Sequence, residues 1–368
     1  MVLLEISRDV LLHPLQTVSG IVEKRHTLPI LSNVLIEQKE NVLSILASDT
    51  EIQIRANVAR SQPGNDFAIT VSARKILDIC RALTSDASLK LESIDHQLQI
   101  RAQKSRFSLQ TLPADDFPVI NPPEQANSSF ELSQTDLRKL ILRVHYAMAQ
   151  QDIRYYLNGM LLVLDQNQIT VVATDGHRLC LATMDVAQNF EHQEVIIPRK
   201  TVNELIKMLT SEDDTVRIHL YANQIGFEIG SVELISKVID GKFPDYHRVI
   251  PTSHQNLLAI SRTTLQLSLQ RAAILSNEKF RGVRLVLSLN EIKVICNNNE
   301  QEEAQEEIEV DYRGDALDIG FNVSYLLDAL NQLDSEVVEC HFGDASSSML
   351  MTIPNDPGYK YVIMPMRI

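Results

Sequence analysis

Three times along this chain a short alternation of apolar and polar residues reaches a serine and gives way to apolar residues at helical spacing. The segments are LEISRDVLLHPL from Leu4, FELSQTDLRKLI from Phe130 and LAISRTTLQLSL from Leu258. A period of two marks a half-buried strand, and a serine ahead of a 3.6-residue period marks a helix start. The serines, Ser7, Ser133 and Ser261, stand 126 and 128 positions apart. A second strand-to-helix passage repeats in VSARKILDICRAL from Val71, IPRKTVNELIKML from Ile197 and FNVSYLLDALNQL from Phe321, with Lys75, Lys200 and Tyr325 equivalent. Asp49 of ASDTE and Asp175 of ATDGH are 126 apart, with CNNNE from Cys296 as a weaker third version. Phe117-Pro118 and Phe243-Pro244 recur at the same interval. Such a period is too long for a solenoid unit and fits a whole domain.

The pattern therefore predicts three copies of one domain, over residues 1–123, 124–252 and 253–368. Loop-like stretches at Asn121-Pro122-Pro123 and Pro251-Thr252-Ser253 mark the joints. Between the helices, IRAQKSRFSLQTL, QITVVATD, IGFEIGSVELISKVI and LMTI read as short strands with turn residues between them. Each copy is then an α+β domain, an antiparallel sheet with two helices on one face.

Composition adds limits. Three cores fit 368 residues with 44% apolar content. No apolar run nears the roughly 20 residues of a membrane span. Glu5, Arg8 and Asp9 interrupt any signal-peptide core, which sets a cytoplasmic expectation. Cys80, Cys180, Cys296 and Cys340 lack metal or redox spacing and read as reduced core residues.

A net charge of −14 argues against a polyanionic partner until its distribution is considered. On a helical wheel over Ser72–Leu83, Ile76, Leu77, Ile79, Cys80 and Leu83 share one side, while Arg74, Lys75, Asp78 and Arg81 take the other. After Ser133, Leu137, Leu140, Ile141, Val144 and Met148 form the stripe that Arg138, Lys139 and Arg143 avoid. Arg8, Arg199, Lys200, Lys207, Arg262 and Arg271 extend the basic set over the other helices, against only Asp9, Glu23, Asp78, Asp136, Glu204 and Asp328. The expectation is a cationic helical surface on an anionic body.

Asp175-Gly176-His177-Arg178 is the most enzyme-like string, yet Asp-Gly after a strand is an ordinary turn. A histidine base would also need a nucleophile or a metal. The ten histidines show no zinc spacing, and neither a Walker A nor a G-x-G-x-x-G string is present. An interaction scaffold without a polyanionic partner is the other alternative, and the basic helix faces weigh against it.

HTLPILSNVL, RFSLQTLPADDFP, QQDIRYYLNGML, VATDGHRL, VIIPRK, DGKFPDY, AAILSNEKFRGVRL, NNNEQEEAQEE, GFNVSYLLDAL and the terminal YVIMPMRI closely resemble the bacterial β sliding clamps, the processivity subunits of DNA polymerase III. The resemblance spans the chain in order. It implies a non-catalytic protein without cofactor or metal, a head-to-tail homodimer of three-domain protomers closed into a ring, with helices inside and sheets outside. The ring would hold duplex DNA by topology without reading its sequence, and would tether polymerase, clamp loader and other partners.

For DNA contacts the resemblance implies Arg25, Arg74, Arg81, Gln151, Tyr155, Tyr156, Arg199, Lys200 and Lys207. Glu23 and His26 flank the first of these. Lys207 keeps the charge of an arginine without its bidentate geometry. For the subunit contact it implies Lys104, Arg106, Phe107 and Leu109 against Ile274, Leu275, Glu302, Glu303 and Glu306, with Gln305 where a further glutamate is expected. For a partner-peptide pocket it implies Arg154, Leu157, Thr174, Gly176, His177, Arg178, Leu179, Pro244, Arg248, Val249, Ser348, Val362, Met364, Pro365, Met366 and Arg367. Apolar anchors of a short peptide suit such a lining, where methionine adapts to different side chains.

Overall fold

The computed structural model describes residues 2–23, 28–60 and 65–368. Among these, six α-helices occur: α1 (Arg8–Val18), α2 (Ala73–Ala82), α3 (Gln134–Leu142), α4 (Arg199–Met208), α5 (Arg262–Ala272) and α6 (Val323–Gln332). The strands Val2–Ser7, Ser128–Ser133 and Asn256–Ser261 each end on a repeated serine and enter α1, α3 and α5. Ser133 Oγ accepts from the Asp136 amide at 3.0 Å and Ser261 Oγ from the Thr264 amide at 3.3 Å. Ser72 and Asn322 cap α2 and α6 in the same way. These caps satisfy amides that the helix itself leaves without partners.

The chain divides into two compact units, one of Met1–Leu137 with Asn203–Val238 and one of Arg138–Val202 with Ile239–Ile368. In the first, twelve antiparallel strands form one sheet. At its middle Ile52–Ala59 pairs with Val232–Lys237, although the two strands lie far apart in sequence. Leu11, Leu15 and Val18 of α1 and Ile76, Leu77 and Cys80 of α2 are buried with the strand residues Ile45 and Ile54. Arg74, Lys75, Asp78 and Arg81 lie on the exposed side of α2.

In the second unit a six-stranded sheet contains the long strands Gly159–Thr174 and Arg178–Pro198, and the latter pairs with Asp356–Ile363. A four-stranded sheet runs in the order Glu303–Glu309, Glu291–Asn297, Gly282–Ser288, Leu317–Asn322. The helices α5 and α6 pack on each other. All four cysteines are free and buried, and burial pushes the Cys180 and Cys340 thiols up to about 12.

Several expected surface cations have other work. Arg8 Nε donates to Cys80 O at 2.7 Å, and Arg262 donates to Leu330 O and Ser335 O at 3.1 and 2.9 Å. Each thus ties the first helix of its pair to the C-terminal end of the second, where carbonyls lack helical partners. Arg143, largely buried, pairs with Asp356 at 2.8 Å, and Arg271 pairs with Glu306 at 2.5 Å. The cationic helix surface is correspondingly narrower than the sequence suggests.

Candidate functional site

One cavity of about 220 Å³ in the second unit gathers residues from four separated segments. Its wall contains Arg154, Leu157, Thr174, Gly176, His177, Arg178, Leu179, Pro244, Val249, Val362 and Met364. The sequence reading missed Tyr246 and assigned Tyr156 to DNA, whereas both line this cavity. The short turn Tyr246–Arg248 follows Pro244, and a three-residue period there carries Tyr246 and Val249 to one side. Arg248, Ser348, Pro365, Met366 and Arg367 do not line it. Arg248 points into solvent beside Asp245 at 2.9 Å, and Ser348 O is engaged by His254 Nε2 at 2.6 Å.

The floor rests on a buried cluster that includes Leu161, Val172, Leu179, Leu181, Phe243 and Val362. The rim is a tight turn. Asp175 Oδ1 accepts from the amides of His177 and Arg178 at 2.9 and 3.1 Å, and Thr174 Oγ1 donates to Arg178 O at 2.6 Å. Gly176 sits at φ +89°, and the Arg154 guanidinium lies so close that a Cβ there would fall 2.8 Å from Arg154 Nη2. Arg154 in turn holds Asp152 at 2.8 Å and donates to Asp175 O at 3.2 Å. Hydrogen bonding to Arg154 lowers the Asp152 carboxyl to about 2.

Arg178 is the buried member of this rim. It bonds Asp175 Oδ2 at 3.1 Å, Asp328 Oδ2 of α6 at 2.7 Å and Tyr146 O at 2.6 Å. Its guanidinium carbon lies 4.2 Å from the Tyr325 ring centroid. A fully paired buried cation of this kind fixes geometry. Asp175 is thereby occupied as a turn and ion-pair residue, which removes the arrangement a histidine base would need. The cavity offers an apolar trough with cationic and hydrogen-bonding edges, suited to an extended peptide with apolar anchors. Among the described residues, no group of three or more His, Cys, Asp or Glu side chains could hold a metal ion.

The residues expected near DNA are placed variously. Arg25 lies outside the described residues. Arg74 and Arg81 are exposed on α2, with Asp78 3.7 Å from Arg74. Arg199 is half-buried and donates to Met148 O at 2.7 Å, while Lys207 pairs with Glu204 at 2.7 Å. Lys200 is half-buried. Gln151, at φ +56°, and Tyr155 stand exposed on the loop where Ile153 is 97% exposed.

The residues expected at the subunit contact fall on two strands with open edges. Residues 105–110 of the strand Ser105–Leu112 pair with Gln97–Ala102, but on its other side, among the described residues, only Thr111 and Leu112 pair with a neighbouring strand. Lys104 and Arg106 are exposed there and Phe107 is half-buried. Leu109 is buried in its own protomer, so it belongs to the sheet's core. Glu303–Glu309 is the outer strand of the four-stranded sheet. Glu302 and Glu303 are exposed beside it, but Glu306 is turned inward to Arg271, which lowers its carboxyl by hydrogen bonding. Next to this strand Ile274 is 78% exposed and Leu275 half-buried.

Repeated α+β domains, open strand edges and a peptide-sized trough define a non-catalytic assembly protein. Models of the DNA polymerase III beta subunit match nearly the whole chain: the N-terminal domain over residues 2–121, the central domain over 131–245 and the C-terminal domain over 247–367. The chain belongs to the DNA polymerase III beta subunit family, the beta sliding clamps. It is 46% identical over 367 residues to the beta sliding clamp of Pseudomonas putida, and 44% over 363 residues to that of Escherichia coli K12, covering 99% of both chains in each case. The crystal structure of the Pseudomonas aeruginosa DNA polymerase sliding clamp superposes with a TM-score of 0.95 at 44% identity, covering 100% of both chains.

Proposed function

We propose that two copies of this chain close head to tail around duplex DNA, and that the ring slides without reading sequence while its cavity tethers the replicative polymerase, the clamp loader and other partners. The observation that carries the reading is the pair of open strand edges. Ser105–Leu112 offers Arg106 and, at its turn, Lys104, and Glu303–Glu309 offers Glu303, with Glu302 beside it and Ile274 exposed nearby. An open edge is a template for pairing with another chain, and opposite charges fix which edge meets which. Ion pairs at the rim add only about 0–1 kcal/mol each, so main-chain pairing and apolar contact carry the join. Duplex contacts are assigned to Arg25, Arg74, Arg81, Gln151, Tyr155, Tyr156, Arg199, Lys200 and Lys207, of which Arg74, Arg81, Gln151, Tyr155 and Lys207 are exposed. Domain limits of 1–123, 124–252 and 253–368 and a cytoplasmic setting complete the reading.

Retention on nicked circular DNA tests it. The protein is loaded with a bacterial clamp loader and ATP, and the DNA is then linearised. Retention on the circle and loss from the linear form is the expected result. Equal binding to both forms would replace the ring with ordinary surface affinity.

A further inference from the structure

Beyond the last strand, residues Met364–Ile368 cross from one sheet to another. The Met364 amide donates to His177 O at 2.9 Å, extending the ladder in which Arg178 pairs with Ile363. Two residues later the Met366 amide donates to Gly320 O at 2.9 Å, on the strand Leu317–Asn322 of the four-stranded sheet. Met364, at the first of these attachments, lines the cavity.

The landing place is unusually bare. A Cβ on Gly320 would lie 2.5 Å from Met366 O and 2.7 Å from Ile368 Cδ1. A Cβ on Gly282 would lie 3.2 Å from Ile368 Cδ1 and 3.3 Å from its Cγ1. The register places these glycines diagonally on neighbouring strands, Gly282 opposite Asn322 and Gly320 opposite Arg284. Val283, Leu285, Ile319 and Phe321 between them are buried on the opposite face. Neither glycine has a positive φ. Their smallness is therefore not demanded by backbone conformation, and what it makes room for is the tail.

We propose that Gly282 and Gly320 are positioning residues of the peptide cavity: they form a notch that seats Ile368 and the Met366 main chain and so hold Met364 at the cavity wall. Neither residue lines the cavity. A segment that leaves its sheet is only as ordered as the bonds that tie it down, and a wall made from such a segment is only as defined as its anchor. The inference rests on the reading of the cavity as a peptide site.

The test uses the full chain as Gly320→Ala, Gly282→Val, Ile368→Ala and the double variant Gly282→Val with Ile368→Ala. Amide exchange over residues 359–368 reads the anchor, and polarisation of a short fluorescein-labelled peptide with leucine and phenylalanine anchors reads the cavity. Gly320→Ala is expected to speed exchange at Met366 and to weaken the peptide by about tenfold, the size of one lost hydrogen bond. Gly282→Val should act likewise, but the double variant should match Ile368→Ala alone, because the residues blocked by the valine are then gone. Exchange and affinity both within about twofold of the parent for Gly320→Ala, on a scale where one lost hydrogen bond is up to tenfold, would overturn the proposal. Faster exchange with unchanged affinity would overturn the positioning role while leaving the anchor. A parent chain that does not bind the peptide at all would instead sink the peptide reading, whatever the exchange shows.

Discussion

Asp49 and Asp175 make the same turn, and Asn298 makes one that is a residue longer. Asp49 accepts from the amides of Glu51 and Ile52, Asp175 from those of His177 and Arg178, and Asn298 from those of Glu300 and Glu302. Thr50 holds φ +76° where Gly176 holds φ +89°. A β-branched residue can therefore occupy this conformation, despite its cost. What Gly176 alone permits is the approach of Arg154. Gly176→Ala is expected to fold, to displace Arg154 from Asp175 O, and to weaken peptide binding by about tenfold, with titration of the peptide as the check. His145 carries a pH prediction. Burial depresses it from its ordinary value of 6.5, so it is neutral when folded and takes up a proton more readily when unfolded. The stability from this neutral state is complete above pH 6.5 and is lost as pH falls below it. Urea unfolding between pH 7.5 and 5.5 should show a shallower loss for His145→Gln than for the parent.

The elements themselves were legible because their signals are local. A serine after an alternating run, repeated at domain spacing, locates the first helix of each pair, with Ser133 and Ser261 capping through their side chains and Ser7 not, and the wheel over α2 separates Ile76, Leu77 and Cys80 from Arg74 and Lys75 as the structure does. What the wheel cannot register is a cation used inside the fold. Arg8 and Arg262 are first residues of helices, and their carbonyl partners on the neighbouring helix are about seventy positions away, Cys80 at 72 and Leu330 at 68. Leu109 was assigned by resemblance, and a strand's alternation shows that it shares a face with Phe107 without showing that the protomer itself covers it. The open edge yields a sharper prediction. Thr111 donates to His96 O, which fixes the pairing phase and leaves the amides of Arg106, Ser108 and Gln110 pointing away from their partner strand. Ser108→Pro therefore removes an amide the protomer does not use and should yield folded monomers by sedimentation. Leu109→Ala should instead cost about 2–5 kcal/mol of protomer stability, measured by urea unfolding.

At the scale of the molecule, an acidic chain and a polyanionic partner are reconciled by topology. Phosphate contacts weaken steeply with salt, whereas a closed ring leaves only by opening. The retention assay should therefore show salt-dependent binding to linear DNA and salt-tolerant residence on circles. Three repeated domains were legible from register alone. The cavity was not, because its wall draws on residues from 154 to 364 and no spacing announces that convergence. Resemblance supplied most of that wall, and geometry exchanged five of its members for Tyr156 and Tyr246. The cavity's position in the sheet has a mechanical meaning. Leu179 and Val362, both in its wall, are direct partners in the ladder that joins Arg178–Pro198 to Asp356–Ile363. Force applied along those strands by a tethered enzyme loads the cross-strand bonds together, in shear. Force lifting the tail loads them singly, beginning with Met366 and Met364. The joint therefore resists a pull along its strands and yields to one that peels residues 364–366 away bond by bond.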